Sequence, residues 1–266
     1  MLTNFHTHTV FCDGKSTAEE VVRSAIEKGF TALGFSGHGP TPYDESYCIR
    51  DLEGYRAEVL RLKAAYEKDI EIYLGIEEDM LAPADRSVYD YIIGSSHYLQ
   101  AAGRRYPIDS SRQCLLECLQ AMDGDAIRFA ECYYQSFCAY ILERKPDIIG
   151  HFDLITKFDE MDTPIFLGDP AYEAVAEKYL TEAAKSGCIF EVNTGAISRG
   201  VRKSPYPSGR LLHTLKKLDA KLILSSDSHH ADTLDCAFAE TTALLRDVGY
   251  RKLMTLKQGK FVEYEL

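Results

Sequence analysis

His6 and His8 stand two residues apart at the end of a short apolar run, and Asp13 follows five residues later. Side chains at i and i+2 of an extended strand project from one face, so both imidazoles can reach a single cation. Asp227 and His229 repeat the spacing near the other end of the chain. Four more apolar runs lead into the same kind of group: Ser36-Gly37-His38, Gly75-Ile76-Glu77, Gly94-Ser95-Ser96-His97 and Gly150-His151-Phe152-Asp153. Any one of these histidines alone would pass for a hydrogen-bonded core residue, and Glu77 for a solvated carboxylate. Their joint placement needs a cause, because scattered core histidines have no reason to favour the ends of consecutive apolar runs. Imidazole with carboxylate suits Zn²⁺, Mn²⁺ or Fe²⁺, whereas Ca²⁺ and Mg²⁺ favour all-oxygen shells. The candidates His6, His8, Asp13, His38, Glu77, His97, His151, Asp227 and His229 exceed the roughly three to five ligands that one ion takes from a protein. Two to three divalent ions are therefore expected, some of them sharing a carboxylate.

Elements that bring such residues together must all end on one side. Predicted strands run from Leu2 to His6, Ala32 to Ser36, Ile70 to Ile76, Tyr91 to Ser95, Asp147 to Gly150, Cys188 to Val192 and Leu222 to Ser225. Stretches of helical period separate them, an alternation that gives βα units, a parallel sheet and a near-closed α/β barrel. In such a barrel the carboxyl ends of the strands open onto one face, where active sites sit. Ser16-Thr17-Ala18-Glu19 has capping-box spacing, and Val21, Val22, Ala25 and Ile26 form a stripe that ends at Gly29. Residues 51–68 and 170–186 read as amphipathic helices, and Cys114 to Leu142 as a helical insertion broken near Gly124. Gly37, Gly75, Gly94 and Gly150 are expected to let backbone approach a crowded site. His213, on a predicted helix, and His230, out of phase with His229, fall outside the set.

The chain of 266 residues is 45% apolar, enough for one large core, and residues 1–266 are expected to form a single domain. A formal charge of −11 argues against nucleic acid or an anionic membrane as partner, since phosphate backbones require clustered Lys and Arg. Met1-Leu2-Thr3-Asn4 lacks the basic start of a secretory signal, and no apolar stretch has membrane-spanning length, so a cytoplasmic location is expected. Eight dispersed cysteines without a Cys-x-x-Cys pair read as reduced thiols, Cys12 beside Asp13 as a bystander.

Taken in order, seven motifs resemble the polymerase and histidinol phosphatase (PHP) superfamily, and more closely its histidinol-phosphate phosphatase branch. They are His6-Thr7-His8 with Asp13-Gly14, Gly34-Phe35-Ser36-Gly37-His38-Gly39-Pro40, Gly75-Ile76-Glu77, Gly94-Ser95-Ser96-His97-Tyr98, Gly150-His151-Phe152-Asp153-Leu154-Ile155, Glu191-Val192-Asn193-Thr194 and Ser225-Ser226-Asp227-Ser228-His229. The resemblance implies a distorted seven-stranded (β/α)7 barrel with a trinuclear centre. Carried over by position, it implies one ion on His6, His8, Glu77 and Asp227, a second on Asp13, His38 and His229, and a third on Glu77, His97 and His151. Ser36-Gly37 stands where the branch often has an acidic or Thr-Asp pair, and the segment from Ala101 to Asp125 departs from the branch's usual loop.

The activity this implies is hydrolysis of a small phosphate monoester, L-histidinol phosphate foremost. A water shared between two ions would attack phosphorus in line while the metals neutralise the other oxygens. Asp227 and His229 are expected to serve catalysis as well as metal binding. Arg199 is the candidate phosphate clamp, with Arg202 and Lys203 as rivals, because guanidinium can hold two phosphate oxygens at once. Asp153, on the face of His151 if its strand continues, would supply a proton or bind a substrate amine. Asp44 and Glu45 are further carboxylates available to a cationic substrate. The alternatives are a different phosphomonoester, an oligonucleotide end, or an amidohydrolase-type attack on a C–N bond, for which no metal-bridging lysine stands at a strand end.

Overall fold

Short buried strands alternate with helices throughout the computed structural model, which describes residues 1–266. In chain order the elements are β1 (Thr3–Asn4), α1 (Ala18–Glu27), β2 (Ala32–Phe35), α2 (Leu52–Ala65), β3 (Glu71–Asp79), β4 (Tyr91–Ser95), β5 (Tyr98–Ala101) and β6 (Arg104–Pro107). They continue with α3 (Arg112–Gln120), α4 (Ala126–Arg144), β7 (Ile148–Ile149), α5 (Pro170–Ala184), β8 (Ile189–Asn193), α6 (Gly195–Ser198), α7 (Gly209–Lys217), β9 (Leu222–Ser225), α8 (Phe238–Val248), β10 (Lys252–Lys257) and β11 (Lys260–Glu265). Seven strands form one parallel sheet in the order β1-β2-β3-β4-β7-β8-β9. A parallel bridge between Thr7 and Ser228 closes it, with His8 N–H donating to Ser228 O at 2.8 Å and Ser228 N–H to His6 O at 3.2 Å. The result is a distorted (β/α)7 barrel.

The distortion has two visible sources. β1 pairs with β2 only through Thr3 and Asn4, shorter than the expected Leu2 to His6, because the chain then crosses to Ser228. β3 is longer than expected because it changes partners, pairing Glu71 to Leu74 with β2 and Gly75 to Asp79 with β4. The change leaves room for Tyr91, whose hydroxyl donates to Phe5 O at 2.5 Å; a Cβ at Gly34 or Gly75 would lie 2.3 Å from its side chain. Gly75 therefore makes space for a core ring, not for backbone at the site.

α1 starts one residue later than the capping-box spacing implies. Glu20 N–H donates to Thr17 Oγ1 at 3.3 Å and Thr17 N–H donates back to the Glu20 carboxylate at 2.8 Å. Ser16 is spent elsewhere, its hydroxyl accepting Ala231 N–H at 3.1 Å. Val21, Val22 and Ala25 are buried as the stripe requires. The insertion is two helices, α3 and α4, parted at Asp123 and Gly124 with φ of 63° and 73°.

Two antiparallel hairpins escaped the sequence reading. β5 and β6 turn at Ala102-Gly103, and β10 and β11 at Gln258-Gly259, all four residues having positive φ. Met254 and Leu256 of β10 join Phe5, Tyr73, Ile148 and Ile223 in a small core inside the barrel, while Gln258 N–H bonds Glu71 at the start of β3. The second hairpin thus plugs the end of the barrel opposite the histidines. No helix is long and apolar enough to cross a membrane.

Candidate metal centre

The nine residues meet at the carboxyl ends of the strands, and Glu77 stands among them with its two oxygens facing different sets. Its Oε2 lies 3.2 Å from His6 Nε2, 3.5 Å from His8 Nε2 and 2.9 Å from His38 Nδ1. Its Oε1 lies 3.1 Å from His151 Nε2 and 3.3 Å from His97 Nε2. Asp227 Oδ1 is 3.1 Å from His8 Nε2 and 3.6 Å from His6 Nε2. Asp13 Oδ2 is 3.3 Å from His229 Nε2, and its Oδ1 is 3.7 Å from His38 Nε2. Four overlapping groups result, each with donor atoms within 4.8 Å of one another: His8, Asp13, His38 and His229; His6, Glu77 and His151; His6, His8 and Asp227; His38, Glu77 and His97.

Asp227 has φ of 47°, in the left-handed region that non-glycine residues enter at a cost. Arg199 holds it there, donating from Nη2 to Asp227 Oδ2 at 2.9 Å and from Nη1 to Asp227 O at 3.0 Å. Gly195 is required at this contact, since a Cβ would lie 2.7 Å from Asp227 Oδ2 and 2.9 Å from Arg199 Nη2. Arg199 therefore reaches the bowl with one edge of its guanidinium committed to Asp227 and Nη1 3.2 Å from His229 Nδ1.

Other candidates fall elsewhere. Asp153 does not extend the face of His151, because β7 ends at Ile149 and the chain enters a tight turn over Leu154–Thr156. Asp153 is fully buried and accepts Ser208 N–H at 2.9 Å together with the Ser208 hydroxyl, which ties down the loop before α7. Arg202 is buried, paired to Glu160 at 3.1 Å and laid over the Tyr206 ring at 4.3 Å, while the Lys203 side chain is exposed. Asp44 lines a cavity of about 260 Å³ that also touches Asp13, His38 and His97; Glu45 does not line it. Cys12 Sγ meets His8 Nδ1 at 3.5 Å, and all eight cysteines are free. His213 and His230 are exposed.

Comparison with known proteins places this architecture. Residues 4–195 match the family described as PHP domain. The chain belongs to that family. Over 96% of its length this PHP protein is 27% identical to a Schizosaccharomyces pombe protein named "Probable histidinol-phosphatase", covering 89% of that relative. It is 24% identical to the Bacillus subtilis "Histidinol-phosphatase", over 88% of this chain and 95% of that one. Among solved structures, a Lactococcus lactis histidinol phosphate phosphatase, determined with zinc, L-histidinol and phosphate, superposes with a TM-score of 0.75 at 19% identity, covering 98% of each chain. At that identity the likeness is one of fold.

The PHP bowl carries further groups that the motifs did not mark as site residues. His6 Nδ1–H donates to Glu191 Oε1 at 2.6 Å, an arrangement that fixes the tautomer and turns Nε2 toward Glu77 and Asp227. Glu191 also takes the N–H of His151 at 2.9 Å. Ser95 donates to Glu77 Oε1 at 2.6 Å, and Asp79 Oδ2 accepts His97 N–H at 2.8 Å. The signal for Glu191 and Asp79 was present, since both are acidic residues in apolar strands, but which face they take depends on the barrel.

Burial alone would lower the pKa of His6; the carboxylates of Glu191, Glu77 and Asp227 outweigh it and raise it well above the ordinary value. His8 goes the other way, to about 3, through burial and the neighbouring His229 and His38. Glu77 and Asp227 lie well below the carboxylate range, burial being overcome by His6, His97 and His38 for Glu77 and by Arg199 and His6 for Asp227. The buried atoms His6 Nε2, His8 Nε2 and Glu77 Oε2 have no hydrogen-bond partner. Converging imidazole nitrogens and carboxylate oxygens that do not satisfy one another fit divalent cations, and a bound cation would take the place of the proton that the carboxylates otherwise draw onto His6.

Proposed function

We propose that this PHP protein is a metal-dependent phosphatase that hydrolyses L-histidinol phosphate to L-histidinol and phosphate. One observation carries the reading: Glu77 presents one oxygen to His6, His8 and His38 and the other to His97 and His151, which suits ions held side by side. The assignment that the resemblance implies would put one ion on His6, His8, Glu77 and Asp227, a second on Asp13, His38 and His229, and a third on Glu77, His97 and His151; the Asp227 contacts to His6 and His8 and the Asp13 contacts to His38 and His229 support the first two sets. Bound divalent ions would acidify water to a nucleophile at neutral pH and neutralise the phosphoryl oxygens. The number of ions is two to three, and Zn²⁺, Mn²⁺ or Fe²⁺ suits the mixed imidazole and carboxylate set. The substrate follows from the names that its relatives carry.

The chain's own residues position and neutralise. Glu191 holds a proton of His6 on Nδ1, so that Nε2 is the nitrogen a bound cation would take. Arg199 neutralises Asp227 Oδ2 and so points Oδ1 at His6 and His8. The N–H groups of Arg199 not given to Asp227 contact the phosphate. His229 Nδ1–H donates to Asp227 O at 3.0 Å, which leaves its Nε2 for the Asp13 side of the bowl.

The test is protein reconstituted with Zn²⁺ or Mn²⁺ and assayed for phosphate release from L-histidinol phosphate beside other phosphomonoesters. Turnover that favours L-histidinol phosphate supports the proposal. Turnover favouring another monoester overturns the substrate, and metal-loaded protein inactive on every monoester overturns the phosphatase.

A further inference from the structure

The cavity of about 260 Å³ beside the ligand cluster has a wall whose chemistry the reaction at phosphorus does not call for. Tyr47 meets His38 edge-on with ring centroids 4.8 Å apart, and Tyr98 lies 6.2 Å beyond Tyr47, its plane turned by 23°. Tyr43 packs edge-on against Tyr98 at 4.9 Å. At the end of this row the Tyr98 hydroxyl donates to Asp44 Oδ2, and Ser46 N–H donates to Asp44 Oδ1 at 2.9 Å. A carboxylate offers about four lone-pair positions, so about half of its accepting capacity stays open. Those two hydrogen bonds outweigh the burial that opposes them and hold the Asp44 carboxyl below its usual range, so it is anionic at neutral pH.

The other charges on the lining are already matched. Lys157 Nζ donates to Asp109 O at 2.7 Å and to Asp109 Oδ2 at 3.2 Å. Asp13 faces His229 and His38. Arg105 stacks on Tyr43 at 4.9 Å but does not line the cavity. Asp44 is left as the one lining carboxylate with neither a cationic partner nor a histidine of the bowl beside it. The Tyr47 hydroxyl is buried and has no hydrogen-bond partner.

The geometry points to a leaving-group subsite for a flat nitrogen ring, with the rings of Tyr47 and Tyr98 covering its face and Asp44 accepting its N–H. The inference rests on the phosphatase reading and adds which part of the ester is selected. Aromatic rings stack on a flat ring, and a hydrogen bond to a charged acceptor is stronger than a neutral one. Tyr47 and Asp44 come from the segment between β2 and α2, and Tyr98 from the β5–β6 hairpin, so substrate choice is carried on segments distinct from most of the metal-bearing strand ends.

The test compares L-histidinol phosphate with p-nitrophenyl phosphate, whose ring is flat but has no N–H, and follows L-histidinol itself by calorimetry. Asp44→Asn should lower the ratio of the two kcat/KM values by roughly tenfold or more, and weaken L-histidinol binding by a similar factor. Tyr98→Phe, which keeps the ring, should retain more of that ratio than Tyr98→Leu. A ratio in Asp44→Asn within about twofold of the unmodified protein's, or equal ratios in the two Tyr98 variants, overturns the subsite. If Asp44→Asn does not fold, the Tyr98 pair decides alone. Protein inactive on every monoester would defeat the phosphatase reading, whereas L-histidinol calorimetry would still judge the subsite.

Discussion

Replacing Glu191 by Gln tests how the bowl is tuned by a residue that is not one of the nine candidate ligands. The carboxylate is 1% exposed and accepts His6 Nδ1–H at 2.6 Å, His151 N–H at 2.9 Å and the Asn193 side-chain amide at 2.9 Å. Gln keeps the shape but removes the charge, and its amide N–H₂ can face His6 Nδ1 and drive the proton to Nε2, toward Glu77. Loss of such a supporting hydrogen bond typically weakens metal binding by about 10–100-fold, or about 1.4–2.8 kcal/mol per affected ion. Competition with a chromophoric chelator, read beside metal content after dialysis, measures the change. Circular dichroism confirms that the variant is folded. A folded Glu191→Gln protein that binds metal within about twofold of the unmodified chain would mean that His6 does not depend on Glu191 for its tautomer.

Four further outcomes are expected. Arg199→Ala should raise KM and lower kcat for any phosphate monoester, with Arg199→Lys recovering only part because a point charge cannot hold Asp227 and phosphate together; unchanged kinetics would remove Arg199 from the site. Gly75→Ala should destabilise the fold by about 1–3 kcal/mol in urea unfolding, because the new Cβ would overlap the Tyr91 ring, and a neutral result would mean that the ring moves freely. Burial raises the Glu160 pKa, but hydrogen bonds from Ser204 and Lys203 N–H and the Arg202 charge outweigh it, so the folded value lies below the unfolded one. Its stabilisation is therefore complete above the unfolded pKa of about 4.3 and is lost as pH falls through the folded value. Glu160→Gln should accordingly cost stability at pH 7 but converge with the unmodified protein in acid, as paired urea titrations would register. Chelation should lower the thermal midpoint as well as activity, because the ligands bind ions in the folded state alone; a midpoint indifferent to chelator would contradict it.

Most of the site was legible because strands have a period of two and parallel barrels gather strand ends. Those two facts place His6 with His8 and His38 with Glu77, and they need no side-chain detail. They stop where the strand stops: β7 ends at Ile149, two residues before His151, so the face of Asp153 could not be read from spacing. Ser16 misled for a related reason, its hydroxyl going to Ala231 across the fold in preference to its own helix. The hairpins at Ala102-Gly103 and Gln258-Gly259 did carry the x-Gly signal of two-residue turns, but their strands are polar on the exposed side and lack a clear apolar alternation. Glu191 and Asp79 were visible as residues but not as partners, since the face a buried acid turns to is set only when the sheet closes.

One bowl holding more than one ion, with Glu77 between two of them, is the proposal on which the phosphatase reading turns. Anomalous diffraction from crystals grown with Zn²⁺ or Mn²⁺, collected at the metal edge, tests it most directly. Two or three peaks are expected at the strand ends, one against His6, His8 and Asp227 and another against His97 and His151, each within bonding distance of a different Glu77 oxygen. A single peak, or peaks that leave Glu77 without contact, would contradict it.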